Sequence, residues 1–295
     1  MQIKNDTQVL FATATTSRRP PSPELVCIAK GKFDLRPGDA MTVLDGMREL
    51  AQGPLQHDVY APDDDERNRA LLHPSDFAEF KPHGEVMLVG SCYSPRERPV
   101  RELAVRLKVG RFQRSLHVRG DRKDARSEPK PFASMPLDYA RAYGGDGYAL
   151  NPLGKGHGGG APPNIVDPDD ASDLPRAGCF APLNPAWPQR AGRVGSAYDE
   201  RYFEERFPYY PEDFDWRYFQ AAPPAQWIEG FWRGDEPVML EHLHPDHARF
   251  ETQLPGLRIR AFIKDDRGDI REAKMVLDTI LIDADTSTAV LTWRG

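Results

Sequence analysis

A mostly β fold is what this sequence predicts: an antiparallel, sandwich-like core of strands from both ends of the chain, a long loop-rich central region and a few short helices. Three observations carry the prediction. The 295 residues include 28 prolines and 24 glycines, which interrupt helices and favour turns. Short apolar or alternating runs bounded by turn formers recur in the first and last parts of the chain. More than half of the prolines fall between residues 126 and 224, which separates these two sets of strands. We therefore expect a single module over 1–295, with an N-terminal β region (1–125), a Pro/Gly/aromatic-rich loop region (126–225) and a C-terminal β meander (226–295).

Residues 9–15 and 24–35 are apolar or alternating and lie between proline clusters, so each predicts a strand. Residues 85–93 form the most apolar run and predict a buried strand. In 102–109 the alternation places Leu103, Val105, Leu107 and Val109 on one sheet face, and Gly110-Arg111 supplies a two-residue turn into a strand at 112–118. Toward the C-terminus, 237–242, 249–254, 257–264, 270–277, 279–283 and 288–294 predict a meander with turns at 255–256, 265–268 and 283–286.

The central region predicts few regular elements: a short helix near 136–143 and turns within 198–219. The latter stretch carries ten aromatic residues in 22 positions. Burying such side chains contributes about 1.5–3 kcal/mol each, against about 1–2 kcal/mol per residue for ordering the backbone. It is therefore expected to be an ordered loop laid on the sheet.

A net charge of −6 argues against nucleic acid as the main partner, and acidic residues are interleaved with the basic cluster at 96–126, which predicts solvated strand faces. Three widely spaced cysteines suit a reducing compartment, and neither a signal peptide nor a membrane span is visible. A cytoplasmic protein with no membrane or nucleic-acid partner and no cofactor is expected.

Several segments invite a catalytic reading. His242-Leu243-His244-Pro245-Asp246-His247 matches the H-x-H-x-D-H pattern of zinc hydrolases, with His242, His244, Asp246 and His247 as the candidate ligands. No histidine follows His247, and the remaining residues read as β meander, so a surface loop is expected and a zinc-dependent hydrolase is the alternative. The GKGHGGG run at 154–160 lacks the spacing of a P-loop and the strand-turn-helix frame of a dinucleotide site, which leaves a flexible loop suited to binding. No nucleophile elbow or activated thiol setting occurs. The acidic run 63–66 reads as an exposed loop, and the aromatic stretch as core packing, with a carbohydrate-binding module using its exposed members as a third functional alternative.

A set of short motifs runs in a matched order along the whole chain. The matching stretches begin with Lys32-Phe33-Asp34-Leu35, Val89-Gly90-Ser91-Cys92-Tyr93, Leu107-Lys108-Val109-Gly110 and Leu116-His117-Val118-Arg119-Gly120-Asp121-Arg122. The most specific part follows: Met135-Pro136-Leu137-Asp138-Tyr139, Arg141-Ala142-Tyr143-Gly144-Gly145 and Asn151-Pro152-Leu153-Gly154-Lys155-Gly156. Leu174-Pro175, Tyr198-Asp199, Pro211-Glu212-Asp213-Phe214-Asp215, Phe219-Gln220-Ala221-Ala222-Pro223 and the final Val290-Leu291-Thr292-Trp293-Arg294-Gly295 complete it. In this order the motifs resemble, from end to end, the bacterial family called domain of unknown function 2169. The resemblance implies a non-catalytic adaptor of type VI secretion, which binds an effector with a PAAR or PAAR-like domain and helps load it onto the VgrG spike. Its candidate partner-binding residues are Arg141, Tyr143, Gly144, Gly145, Asn151, Gly154, Lys155, Gly156, Phe214, Phe219 and Gln220.

Overall fold

The computed structural model describes residues 4–18, 20–43, 53–62, 69–170, 177–265 and 267–295. The acidic run 63–66 and Leu174-Pro175 lie outside them. Two sheets dominate. The larger has seven strands: Leu10–Thr16 at one edge, then Glu24–Asp34, Thr288–Arg294, Val276–Asp283, Gly84–Val89 and Trp227–Ile228, with Thr42–Val43 added beside Glu24–Asp34. The smaller has five, in the order Ile165–Val166, Phe112–Arg119, Glu102–Val109, Pro237–Glu241 and Arg249–Gln253. The first and last parts of the chain thus meet in one sheet, where Glu24–Asp34 pairs with Thr288–Arg294 from Ile28 opposite Arg294 to Asp34 opposite Thr288.

Alternation decides which side chains face the space between the sheets. In Glu102–Val109 the odd-numbered Val105, Leu107 and Val109 are buried, with Leu103 packed against them, as the pattern predicts. Across the hairpin they face Leu116 and Val118. Gly110 takes φ 56° at the first central position of the turn, a conformation that costs a side-chain-bearing residue and suits glycine. From the larger sheet come Ala29, Phe33, Val86, Leu88, Ile280, Ile282, Leu291 and Trp293. Phe33 and Trp293 meet edge to face at 6.3 Å. This shared core makes the sandwich.

Three expectations need correction. The C-terminal strands are not one meander. Pro237–Glu241 and Arg249–Gln253 join the smaller sheet, Ala261–Lys264 and Ile270–Ala273 form a separate ribbon, and Val276–Asp283 with Thr288–Arg294 enters the larger sheet. Pairing is also not wholly antiparallel, because Val276–Asp283 runs parallel to Gly84–Val89 from Thr279 opposite Glu85 to Asp283 opposite Val89. Strand periodicity specifies a buried face and carries no information on partner or direction. The helix expected near 136–143 is instead the end of a short strand, Ser134–Pro136, followed by a 3₁₀ turn at Tyr139–Arg141.

The outer face of the larger sheet is covered at Met87 and Leu281 by Ala221 and Ala222, which follow the aromatic stretch. Glu85 is fully buried there, and one of its carboxylate oxygens accepts from Gln220 Nε2 and the Ala222 N–H, both at 2.9 Å. Lys81 pairs with the other oxygen and donates to Thr279 Oγ1 at 2.8 Å. A register shift between Leu277 and Thr279 accompanies burial of Asp278, which pairs with Arg294. Tyr210, Phe214, Trp216 and Phe219 form a ring cluster, with Tyr210 and Phe214 at 4.3 Å and Phe214 and Trp216 at 5.0 Å. The stretch is thus ordered, but of its ten aromatic residues only Phe214 is buried, while Tyr198, Phe203 and Phe207 are exposed, and its rings meet loop residues such as Phe80 and Glu79 rather than the strands themselves. Among the described residues no helix is long and apolar enough to cross a membrane.

Candidate partner-binding loop

The glycine-rich part of the central region folds around one amide. Asp138 opens the 3₁₀ turn, its carboxylate accepting the Arg141 N–H at 3.2 Å. Tyr139 roots that turn: its ring meets Trp187 edge to face at 5.0 Å, and its hydroxyl donates to the Ala181 carbonyl at 3.2 Å. With Ala142, Cys179, Ala181 and Leu183 these rings make a small second core. Beyond the turn, Tyr143–Gly144 runs parallel to Lys155–Gly156.

Between those two short strands the chain wraps Asn151. This residue is fully buried, and its Nδ2 donates to the carbonyls of Tyr139 at 2.8 Å and Tyr143 at 3.0 Å. Its carbonyl accepts the Gly145 N–H at 2.9 Å. A Cβ at Gly144 would stand 2.1 Å from that carbonyl oxygen, and one at Gly154 would stand 2.5 Å from Nδ2. The run from Tyr143 to Gly156 therefore needs glycine where the backbone closes on Asn151, which is the physical content of the motif.

The loop is fixed at its base and open at its tip. Asn164 donates to the Arg119 carbonyl at 2.8 Å and to Asp121 at 3.1 Å. Its hydrogen bond to Asp121, and then the Lys155 ammonium at 3.4 Å, hold that carboxyl below its usual range. At the surface Tyr143, Tyr148 and His157 stand together, with centroids 5.2 Å apart for Tyr143–Tyr148 and for Tyr148–His157, and the Tyr143 hydroxyl lies 3.3 Å from His157 Nδ1. Gly158, Gly159 and Gly160 follow, all exposed, all at positive φ, and with no atom near where a Cβ would stand. Gly159 bridges back to Gly156, and aromatic side chains beside this exposed glycine turn suit the capture of a protein surface.

A family model described as "Uncharacterized protein conserved in bacteria (DUF2169)" matches residues 22–294. The chain belongs to the DUF2169 family. No match was found among curated proteins or among solved structures.

Of the residues singled out from the sequence of this DUF2169 chain, Arg141, Tyr143, Gly144, Gly145, Asn151, Gly154, Lys155 and Gly156 are brought into one loop. Phe214 and Phe219 belong to the separate aromatic cluster, and Gln220 is fully buried against Glu85. Asn151 and Gln220 can thus position surrounding chain but cannot themselves touch a partner on this surface. Sequence reasoning missed Tyr148 and His157, which the fold returns to Tyr143; their ring chemistry inside a glycine-rich segment was the available signal. It also missed Arg114. The basic cluster is not solvated throughout, because Arg114 is buried.

The histidine loop is differently built. His244 is buried and stacks on Phe250 at 4.3 Å. Its Nδ1 accepts the Asp246 N–H at 3.1 Å, which puts the ring proton on Nε2, 3.1 Å from Ser287 Oγ. Both nitrogens are therefore engaged inside the protein. Among the described residues no group of three or more His, Cys, Asp or Glu side chains is placed to hold a metal ion. Burial of Cys92 and Cys179 pushes their thiols up to about 12, unlike an activated nucleophile.

Burial, and then His247, lower His244 below its ordinary value of 6.5. Below that value the unfolded chain binds a proton that the folded chain resists, so the contribution is complete above it and is lost as pH falls through the folded value. Urea unfolding at about pH 7 and about pH 5 should show a smaller acid loss of stability in His244→Gln than in the parent chain. Equal losses would remove His244 as the cause.

Proposed function

We propose that this chain is a non-catalytic cytoplasmic adaptor that binds a secreted effector carrying a PAAR or PAAR-like domain and helps load it onto the VgrG spike. The observation that carries the reading is the loop built on Asn151: fixed by buried hydrogen bonds at its base, aromatic on its surface and open to solvent at Gly158–Gly160. The type VI assignment comes from the motif resemblance, and the loop supplies the grip. Tyr148 and Tyr143 are the expected anchors, and a central aromatic anchor of this kind is worth about 2 kcal/mol, or roughly thirtyfold in affinity.

The test is an affinity capture of the tagged chain from its host cytoplasm while the secretion system is expressed, followed by titration with the recovered effector. A PAAR-bearing effector or VgrG is expected among the captured proteins. Deleting Gly158–Gly160 should weaken effector binding about tenfold or more while leaving the thermal midpoint nearly unchanged, since no side chain packs there. Absence of both partners would end the adaptor reading. Capture of the effector with equal affinity by the deletion variant would move the grip to another surface.

A further inference from the structure

Leu10–Thr16 ends the larger sheet, and among the described residues it pairs only with Glu24–Asp34. Its free side can be deduced from one neighbouring pair. Cys27 and Gly295 exchange both backbone hydrogen bonds, at 2.7 and 3.0 Å, so Cys27 and Ala29 direct their backbone polar groups toward Thr288–Arg294. The alternate residues Val26, Ile28 and Lys30 direct theirs toward Ala14, Ala12 and Leu10. The N–H and C=O groups of Phe11, Thr13 and Thr15 consequently point out of the sheet, and no described residue bonds them.

Sheet edges are ordinarily protected by proline, charge, a bulge or a cover. The sequence LFATATT contains neither proline nor charge, and its register with Glu24–Asp34 has no shift. Beside it lies a groove of about 730 Å³, lined on one wall by Phe11, Thr13 and Cys27 and on the other by Ile259 and the half-exposed Phe262. The charges on its rim are largely satisfied: Lys4 pairs with Asp6, Arg260 with Glu272, and Asp265 accepts backbone N–H groups. Among the described residues Lys264 has no such partner.

We propose that Leu10–Thr16 is a strand-addition site for an extended segment of a partner polypeptide. Only another extended backbone offers donors and acceptors in the alternation that Phe11, Thr13 and Thr15 require. Residues hydrogen-bonded to those three would direct their side chains into the groove, which calls for large apolar groups at alternate positions. The uncharged edge suits an uncharged segment, and Lys264 suits an acidic residue beside it. A second copy fits less well: antiparallel pairing of two such edges about Thr13 would place threonine opposite much of the groove and leave it underfilled. This surface is separate from the glycine loop and does not depend on the adaptor reading.

The full chain can be used to select from a phage-displayed library of linear peptides. Enriched peptides should alternate apolar and polar residues, and binding should slow amide exchange at Phe11, Thr13 and Thr15. Thr13→Pro removes an outward N–H and no native hydrogen bond, so it should keep the thermal midpoint and weaken peptide binding about tenfold, while the Gly158–Gly160 deletion binds normally. If the proline lowers the midpoint, Thr15→Lys provides the same test through charge. The proposal is overturned if no peptide is enriched, if edge variants bind as well as the parent, or if protection falls elsewhere. A concentration-dependent dimer abolished by Thr13→Pro would likewise overturn it in favour of a second copy.

Discussion

Replacing Lys81 with methionine is expected to destabilise the folded chain by about 3–5 kcal/mol. Lys81 and Glu85 are 3% and 0% exposed, and their pairing is what makes a carboxylate tolerable on the covered face of the sheet. Methionine retains most of the side-chain volume but leaves Glu85 with only the Gln220 and Ala222 donors, and leaves Thr279 without the ammonium. An uncompensated buried charge costs much more than the pair itself contributes. The double variant Lys81→Met/Glu85→Gln should therefore recover a substantial part of the loss, and urea denaturation of the four chains of the cycle measures this coupling. A loss below about 1 kcal/mol in the single variant would show that water or a local shift solvates Glu85.

Arg114→Met should cost a similar amount, about 3–5 kcal/mol, by a different route. The guanidinium reaches Asp167 at 2.8 Å, the Cys179 carbonyl at 2.7 Å and the side-chain oxygen of Gln226. Gln226, itself fully buried, donates to the carbonyls of Val86 at 2.7 Å and Phe180 at 2.9 Å. One side chain of the smaller sheet thus joins the central loops to a strand of the larger sheet. Its removal strands an acid, an amide and a carbonyl together, so both global stability and amide protection around Cys179 and Gln226 should fall. Full retention of that protection would place the joint elsewhere.

Legibility followed the physics of each signal. Leu103, Val105, Leu107 and Val109 were readable because a half-buried strand must alternate, and Gly110 because a two-residue turn needs positive φ. The Asn151 loop was readable as a motif and not as a geometry. Glycines at Gly144 and Gly154 announce a close approach but do not say to what; only the folded chain brings Asn151 there. Phe219 and Gln220 belonged to the same ordered set of motifs, yet Phe219 joins the aromatic cluster and Gln220 is buried on the covered face of the larger sheet.

By itself, then, the sequence determined the β class, most strand positions, the split between strand-rich ends and a loop-rich centre, and membership of a motif order. Those features depend on local alternation and turn chemistry, which neighbouring residues specify. Only the tertiary structure decided that Val276–Asp283 runs parallel to Gly84–Val89, that Lys81, Glu85, Arg114 and Gln226 are interior, and that Leu10–Thr16 ends a sheet with an open side. Each of these depends on a partner far away in the chain, and the burial of a polar residue is favourable only after that partner has arrived.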